Sequence, residues 1–371
     1  MNTMSSILKK IPYVNLKNQW ESERDDLLPI IDKVLSTGKY VGGEEVEIFE
    51  ENIAKFCDVK YSVALNSGTD ALMFALMLSG VRKGDEVITP PNSFVASTST
   101  ILHVGAKPVF VDVLPDQNID PSKIEEAITK NTKAIMPVHL TGRMCDMDPI
   151  MEIAERHNLI VIEDAAQAFG SKYKGKYSGS IGDIGCFSTH PLKNLNACGD
   201  GGFVTTNNEK IYSQLKILRN QGMSDRNIVK NFGTVSRMDN LQAAILNYRL
   251  GKLDVLISKR QANAKKYLEG INHKDIFIPH QELHEFNTYH TFVLQTSRRD
   301  ELKEYLLNKG IKTAIHYPVP IHLQPASKSL GYKEGDLPVT EKQAKEILTL
   351  PVNQYLAGSD LERVITAVNT F

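Results

Sequence analysis

Apolar and polar positions in the first half of the chain follow two alternating patterns. Short apolar runs bounded by turn residues stand out at KYSVAL (60–65), DEVITP (85–90), KPVFVDV (107–113), KAIMPVHL (133–140), LIVIEDA (159–165), CFSTH (186–190) and GGFVTT (201–206). Runs of this length and composition read as strands. Between them, TDALMFALMLSG (69–80) and MDPIMEIAERHN (147–158) carry apolar residues at helical spacing. Strands alternating with helices predict an α/β fold with a mostly parallel sheet covered on both faces. In such sheets, ligands bind beyond the carboxyl ends of the strands. A helical stretch rich in Ala, Leu, Lys and Gln runs from Met238 to Leu268. After it come smaller α/β pieces: a strand at Tyr289–Thr296, a helix at Arg299–Lys309 and a proline-punctuated loop at Tyr317–Pro325.

At 371 residues the chain exceeds the roughly 250–300 at which a single core stops growing. Two domains are expected, residues 1–255 forming the larger and 256–371 the smaller. The net charge of −1 argues against a general nucleic-acid binder. No run of about 18 apolar residues is present, so no membrane span is expected. The first ten residues lack the apolar core of a signal peptide. Cys57, Cys145, Cys186 and Cys198 form no C-x-x-C pair and no zinc spacing, which reads as reduced thiols in a cytoplasmic protein without a metal.

Polar motifs cluster at the predicted strand ends. LIVIEDAAQAFG delivers Glu163 and Asp164 at the tip of an apolar strand, with Gln167 three residues on. Carboxylates there commonly cap a helix. One could also hold a pyridinium nitrogen protonated, which makes the ring an electron sink. FSTHPLKNLNACGDGG places Lys193 on a loop between an aromatic strand and a glycine-rich turn, with Ser188 five residues earlier. Most loop lysines are solvated charges, yet a desolvated lysine amine forms Schiff bases. In ALNSGTDAL, Gly68 and Thr69 stand at a helix start, where backbone N–H groups bind anions. Phe94, after the proline turn of TPPNSF, can pack in a core or stack on a planar ring. Neither G-x-G-x-x-G nor a Walker A pattern occurs.

Taken together, in this order and at these separations, the motifs resemble the DegT-type sugar-nucleotide aminotransferases, a branch of the fold-type I pyridoxal-phosphate enzymes. The resemblance runs from STGKYVGGEEVEIFEENIAKF through NSGTDAL, GDEVITPPNSFVAS, IEDAAQAFGSKYKGK, GDIGCFSTHPLKN and SRMDNLQAAIL to IKTAIHYPVPIHLQPA. It implies an aspartate-aminotransferase-like seven-stranded sheet and a homodimer with active sites at the interface. It implies that Lys193 forms the internal aldimine with pyridoxal 5'-phosphate and shuttles protons, and that Asp164 pairs with the pyridine nitrogen. Gln167 would contact the ring oxygen, Phe94 would stack, and Gly68, Thr69 and Ser188 would hold the phosphate. His190, His316, Tyr317 and His322 are candidate substrate contacts.

Three positions depart from the family pattern. Val235 stands where an asparagine often reaches the partner's phosphate, and valine cannot make that hydrogen bond. The run Arg237-Met238-Asp239-Asn240 replaces a more common RMDE, and His190 replaces a frequent tyrosine. A subgroup that dehydrates sugars has histidine in place of the lysine, so the intact Lys193 favours transamination. The implied reaction is ping-pong, from an amino acid, with glutamate the expected donor, to a keto-sugar nucleotide. The GDGG turn and the LRNQG run lean toward amination at C3 over C4. The competing readings are a dehydratase and a non-catalytic sugar-nucleotide-binding regulator.

Overall fold

The structure, a computed structural model, describes residues 10–371. Seven strands form the central sheet: β1 (Tyr61–Leu65), β2 (Glu86–Thr89), β3 (Lys107–Phe110), β4 (Thr132–Ile135), β5 (Ile160–Asp164), β6 (Ile184–Ser188) and β7 (Gly202–Thr206). Their spatial order is β1-β7-β6-β5-β4-β2-β3. The pairings from β6 through β3 are parallel, and only β7 runs against its neighbours. The expected mostly parallel, seven-stranded sheet is therefore present. Strands β2 and β7 are buried along their whole length, as a sheet covered on both faces requires.

Among the described residues, eleven α-helices surround this sheet and the second core: α1 (Leu16–Ser36), α2 (Glu44–Phe56), α3 (Gly68–Leu78), α4 (Val95–His103), α5 (Met147–His157), α6 (Glu209–Leu218), α7 (Asn240–Leu250), α8 (Leu253–Gly270), α9 (Arg299–Asn308), α10 (Pro338–Glu346) and α11 (Gly358–Asn369). On one face, Leu72, Phe74 and Leu76 of α3 pack against Val63, Ile162 and Cys186. Each such side chain stabilises the fold by roughly 1.5–3 kcal/mol on burial. On the other, Phe49, Phe169, Phe187 and Phe203 form an aromatic cluster, the last two stacked at 4.6 Å. β4 ends early because Pro137 has no N–H to continue the ladder.

The single helical stretch expected over Met238–Leu268 is two helices. α7 stops at Leu250, Gly251 caps it, and α8 restarts at Leu253. Glycine weakens a helix at that point, and the change of direction buries Leu253 among Phe49, Leu246 and Ile257. α8 then leads into the second core, built with β8 (Phe292–Gln295) antiparallel to β9 (Ile347–Leu350) and helices α9 and α11. Ile11, near the N-terminus, lies in this second core and bridges to Ile311. Among the described residues no helix is long and apolar enough to cross a membrane.

Candidate active site

The carboxyl ends of β1, β5 and β6 open into one cavity of about 450 Å³. At the end of β1, Ser67 caps α3 by accepting from the Asp70 N–H at 3.1 Å. The amides of Gly68 and Thr69 have no intrahelical acceptor and are free to bind an anion. The end of β6 supplies Ser188 beside them. A Cβ on Gly68 would lie 2.7 Å from Ser188 Cβ and 3.2 Å from the Phe187 carbonyl oxygen. Only glycine lets these two strand ends converge into a cradle. Gly68→Ala is expected to weaken cofactor retention about tenfold or more, the cost of moving α3 or Ser188 by a few tenths of an ångström. Titration of apoenzyme with pyridoxal phosphate measures it, and unchanged affinity would show that the cradle is elsewhere.

Strand alternation separates the two adjacent carboxylates at the end of β5. Glu163 turns away from the cavity and is fully buried. It accepts from the N–H groups of Gly179 (2.8 Å), Ile181 (2.8 Å) and Gly182 (2.6 Å) and meets His139 Nε2 at 2.9 Å. Burial opposes its charge, but these bonds outweigh burial and hold the carboxyl below its ordinary pKa. Glu163 is a structural strut that pins the turn beneath the sheet. Asp164 faces the cavity. It accepts from Ser97 Oγ at 2.7 Å and from the Ala166 N–H at 3.3 Å. Burial pushes its pKa up, against these bonds and the Lys193 charge. A buried carboxylate with that deficit is a site for a cationic N–H.

Lys193 sits on the loop after β6, held from both flanks. Thr189 pairs with Gly201 and Ala197 through its backbone. Asn196 and Gln19 of α1 exchange two amide hydrogen bonds, of 3.0 and 3.1 Å. Arg249 of α7 donates to the Asn196 carbonyl at 2.6 Å and pairs with Glu23 at 2.7 Å. The lysine amine is thus aimed into the cavity by a rigid frame. Burial lowers its pKa to about 8, with Asp164 opposing. Neutral amine, the nucleophilic form, is therefore available near neutrality. The rate at which apoenzyme captures pyridoxal phosphate is expected to rise about tenfold per pH unit below pH 8 and level off above it. Stopped-flow absorbance measures this, and a rate still climbing at pH 10 would mean an ordinary lysine.

Of the remaining residues expected at the site, Phe94, Gln167, His190, His316 and Tyr317 all line the cavity. Gln167 accepts from the Thr141 N–H at 3.1 Å. Phe94 stands half exposed at the mouth, its ring 6.0 Å from that of Tyr317. Burial pushes Tyr317 up to about 12, and Asp164 adds to the shift. Burial pushes His316 down to about 4, with the Lys193 charge adding, so it is neutral at working pH. His322, also expected among the substrate contacts, does not reach the cavity. It is buried against Phe110 and Tyr332 with Nε2 3.1 Å from Glu341. A histidine in a proline-rich loop gave no sign of that acid nineteen residues on. Tyr13, Ser97, His290 and Arg260 also line the cavity and were not foreseen. Ser97 alone had a usable signal, lying one helical turn after Phe94.

Pyridoxal phosphate matches these groups: Gly68, Thr69 and Ser188 suit its phosphate, Asp164 its ring nitrogen, and Lys193 its aldehyde. His290 Nδ1, buried with no partner among the described residues, leaves a further donor or acceptor for what the cavity holds. When bound, the cofactor supplies a ring that takes up electrons from the carbon bearing the amine. The fold and site define a pyridoxal-phosphate-dependent aminotransferase. The model of the DegT/DnrJ/EryC1/StrS aminotransferase family matches residues 21–369, and the chain belongs to that family. A dTDP-3-amino-3,4,6-trideoxy-α-D-glucose transaminase of Streptomyces venezuelae is 40% identical, covering 97% of this chain and 95% of its own. A dTDP-3-amino-3,6-dideoxy-α-D-galactopyranose transaminase of Aneurinibacillus thermoaerophilus is also 40% identical, covering 97% and 99%. The crystal structure of S. venezuelae DesV with a ketimine intermediate matches with a TM-score of 0.95 at 40% identity, covering 97% of this chain and 98% of that one.

Proposed function

We propose that this enzyme moves the amino group of an amino acid, glutamate, to a keto-sugar carried on a nucleoside diphosphate, for amino-sugar biosynthesis. The transfer is ping-pong, and C3 is the carbon aminated. One observation carries the reading: the match with relatives named for 3-amino sugars on dTDP runs the length of the chain, through every strand end that lines the cavity. In this reading Lys193 holds the cofactor and carries the proton between the donor's α-carbon and the cofactor. Asp164 keeps the ring nitrogen protonated. Gly68, Thr69 and Ser188 hold the phosphate, Gln167 the ring oxygen, and Phe94 covers the ring. His190, His316 and Tyr317 face the sugar; neutral His316 and protonated Tyr317 suit hydroxyl recognition better than charge recognition.

The test is to incubate holoenzyme with ¹⁵N-glutamate and 3-keto or 4-keto dTDP-sugars, then read product mass and the nitrogen-bearing carbon by NMR. Label on C3 is the expected result. Label on C4 would reverse the regiochemistry, and loss of water without label would make the enzyme a dehydratase. The same reading makes the enzyme a homodimer with active sites at the interface. Supporting it, the segment after the hairpin of Met223–Asp225 and Ile228–Val229 leaves Phe232 99% exposed and Val235 half exposed. Val235 contributes only its carbonyl, to Asn66 Nδ2 at 3.4 Å. Sedimentation showing only monomer at micromolar concentration would contradict the dimer.

A further inference from the structure

Ser97 lies in the first turn of α4, three residues after Phe94, whose side chain makes no capping hydrogen bond. A helical serine ordinarily turns its hydroxyl back to the backbone of the preceding turn. Ser97 has that option, since the Phe94 carbonyl lies 3.3 Å from its Oγ. Asp164 Oδ2 is much closer, at 2.7 Å. A hydroxyl has a single proton to donate, and the shorter bond, to a charged acceptor, takes it. Both partners are shut away from water, Ser97 being 1% exposed and Asp164 4%. Among the described residues, this hydroxyl is the only side chain that donates to the Asp164 carboxylate; the other donor is the Ala166 N–H.

A ring nitrogen and a carboxylate share one proton. Asp164 is useful only while that proton stays on the ring and the carboxylate stays charged. Burial pushes the other way: it favours the neutral carboxyl, and with it an unprotonated ring. Of the groups that oppose burial, the Ser97 hydroxyl acts most strongly, ahead of the Ala166 N–H, Lys193 and His139. The two cationic neighbours have other duties. Lys193 is taken up by the cofactor aldehyde in the reading above, and His139 meets Glu163 at 2.9 Å. Tyr317 and Cys186, the remaining titratable neighbours, are pushed up and stay neutral. We propose that Ser97 is a positioning residue for the reaction: by donating to Asp164 it holds the carboxylate charged, so that the shared proton stays on the ring nitrogen. This rests on the aminotransferase reading and on the role of Asp164 in it. The start of α4 then serves the ring twice, with Phe94 at its face and Ser97 acting through Asp164.

The direct measurement is the position of that proton. Holoenzyme is reconstituted with pyridoxal phosphate carrying ¹⁵N in the ring, whose resonance differs widely between the protonated and unprotonated forms. Wild type should show the protonated ring and Asp164→Asn the unprotonated one. Ser97→Ala removes the hydroxyl without adding volume, so the fold and the lysine-linked cofactor band should persist. It should tilt the proton toward the carboxylate by about tenfold or more, the worth of one hydrogen bond to a charged group. Its resonance should therefore lie between those of wild type and Asp164→Asn. Ser97→Thr, which keeps the hydroxyl, should return the resonance to the wild-type position. The donor half-reaction should slow by about the same tenfold in Ser97→Ala, with glutamate affinity unchanged. A Ser97→Ala resonance at the wild-type position would overturn the proposal even if the rate fell, because Ser97 would then only fill space beside Asp164. So would a Ser97→Thr resonance displaced as far as that of Ser97→Ala, which would trace the effect to packing. A wild-type ring that is already unprotonated would overturn both the proposal and the role of Asp164. If Ser97→Ala moves the resonance but glutamate never bleaches the wild-type band, the aminotransferase reading fails while the action of Ser97 on Asp164 stands.

Discussion

Lys193→Ala should lower amine transfer by roughly 10⁴-fold or more while leaving pyridoxal phosphate bound. The lysine has two separate jobs in the proposed reaction, covalent attachment of the cofactor and proton transfer at the α-carbon. Alanine supplies neither. The phosphate cradle at Gly68, Thr69 and Ser188 and the Asp164 carboxylate do not depend on the lysine, so cofactor binding should survive without the covalent link. Absorbance separates the two effects: the variant should show the band of free-aldehyde cofactor, not the lysine-linked one. The frame of Gln19, Asn196 and Arg249 holds the loop through backbone and amide groups, so the fold should be unaffected. Near-normal turnover in the variant would mean that some other base does this work and that Lys193 is an ordinary loop lysine.

The order of strands and helices around the central sheet was legible because its strands are buried runs bounded by turn residues, and their tips collect polar motifs. Lys193, Gln167 and the Gly68–Thr69 turn could be located that way because each follows its own strand within a few residues. Groups that reach the cavity from distant sequence could not be located so. Arg260 sits midway along a helix whose pattern is that of a packing element, and Tyr13 lies before the first helix. His290 lies just before strand β8 of the second core. Only the folding of α8 and the 288–290 segment against the Lys193 loop, seen in the Asn194 Nδ2 to Thr288 carbonyl contact of 3.3 Å, brings them together. His322 illustrates the converse. Its neighbours in sequence suggested substrate, while its partner Glu341 comes from α10 and buries it.

Asp164→Asn provides the sharpest separation of roles, because the neighbouring Glu163 serves as its control. The asparagine can still accept from Ser97 Oγ, so the pocket should keep its shape and the cofactor its lysine link. It cannot balance a positive charge on the ring nitrogen, so the ring loses its protonated form and its capacity to take up electrons. The donor half-reaction should slow on the order of 10³-fold, a rise of about 4 kcal/mol in the barrier, with glutamate affinity little changed. That pattern is a loss in kcat without a loss in binding. Glu163→Gln should behave differently again. Its amide would place N–H against at least one of the three backbone donors that the carboxylate accepts from, and the fold should lose roughly 3 kcal/mol of stability, as when a buried charged network is broken. Calorimetry would register this as a lower Tm, while the half-reaction of the folded fraction should remain within about tenfold of wild type, since Glu163 touches nothing in the cavity. A large kinetic defect in Glu163→Gln with normal Asp164→Asn turnover would mean that the strand tip presents the other carboxylate to the ring. The hydrogen bond from Ser97 Oγ to Asp164 and the three backbone amides on Glu163 argue against that arrangement, because each carboxylate already has the partners its own role requires.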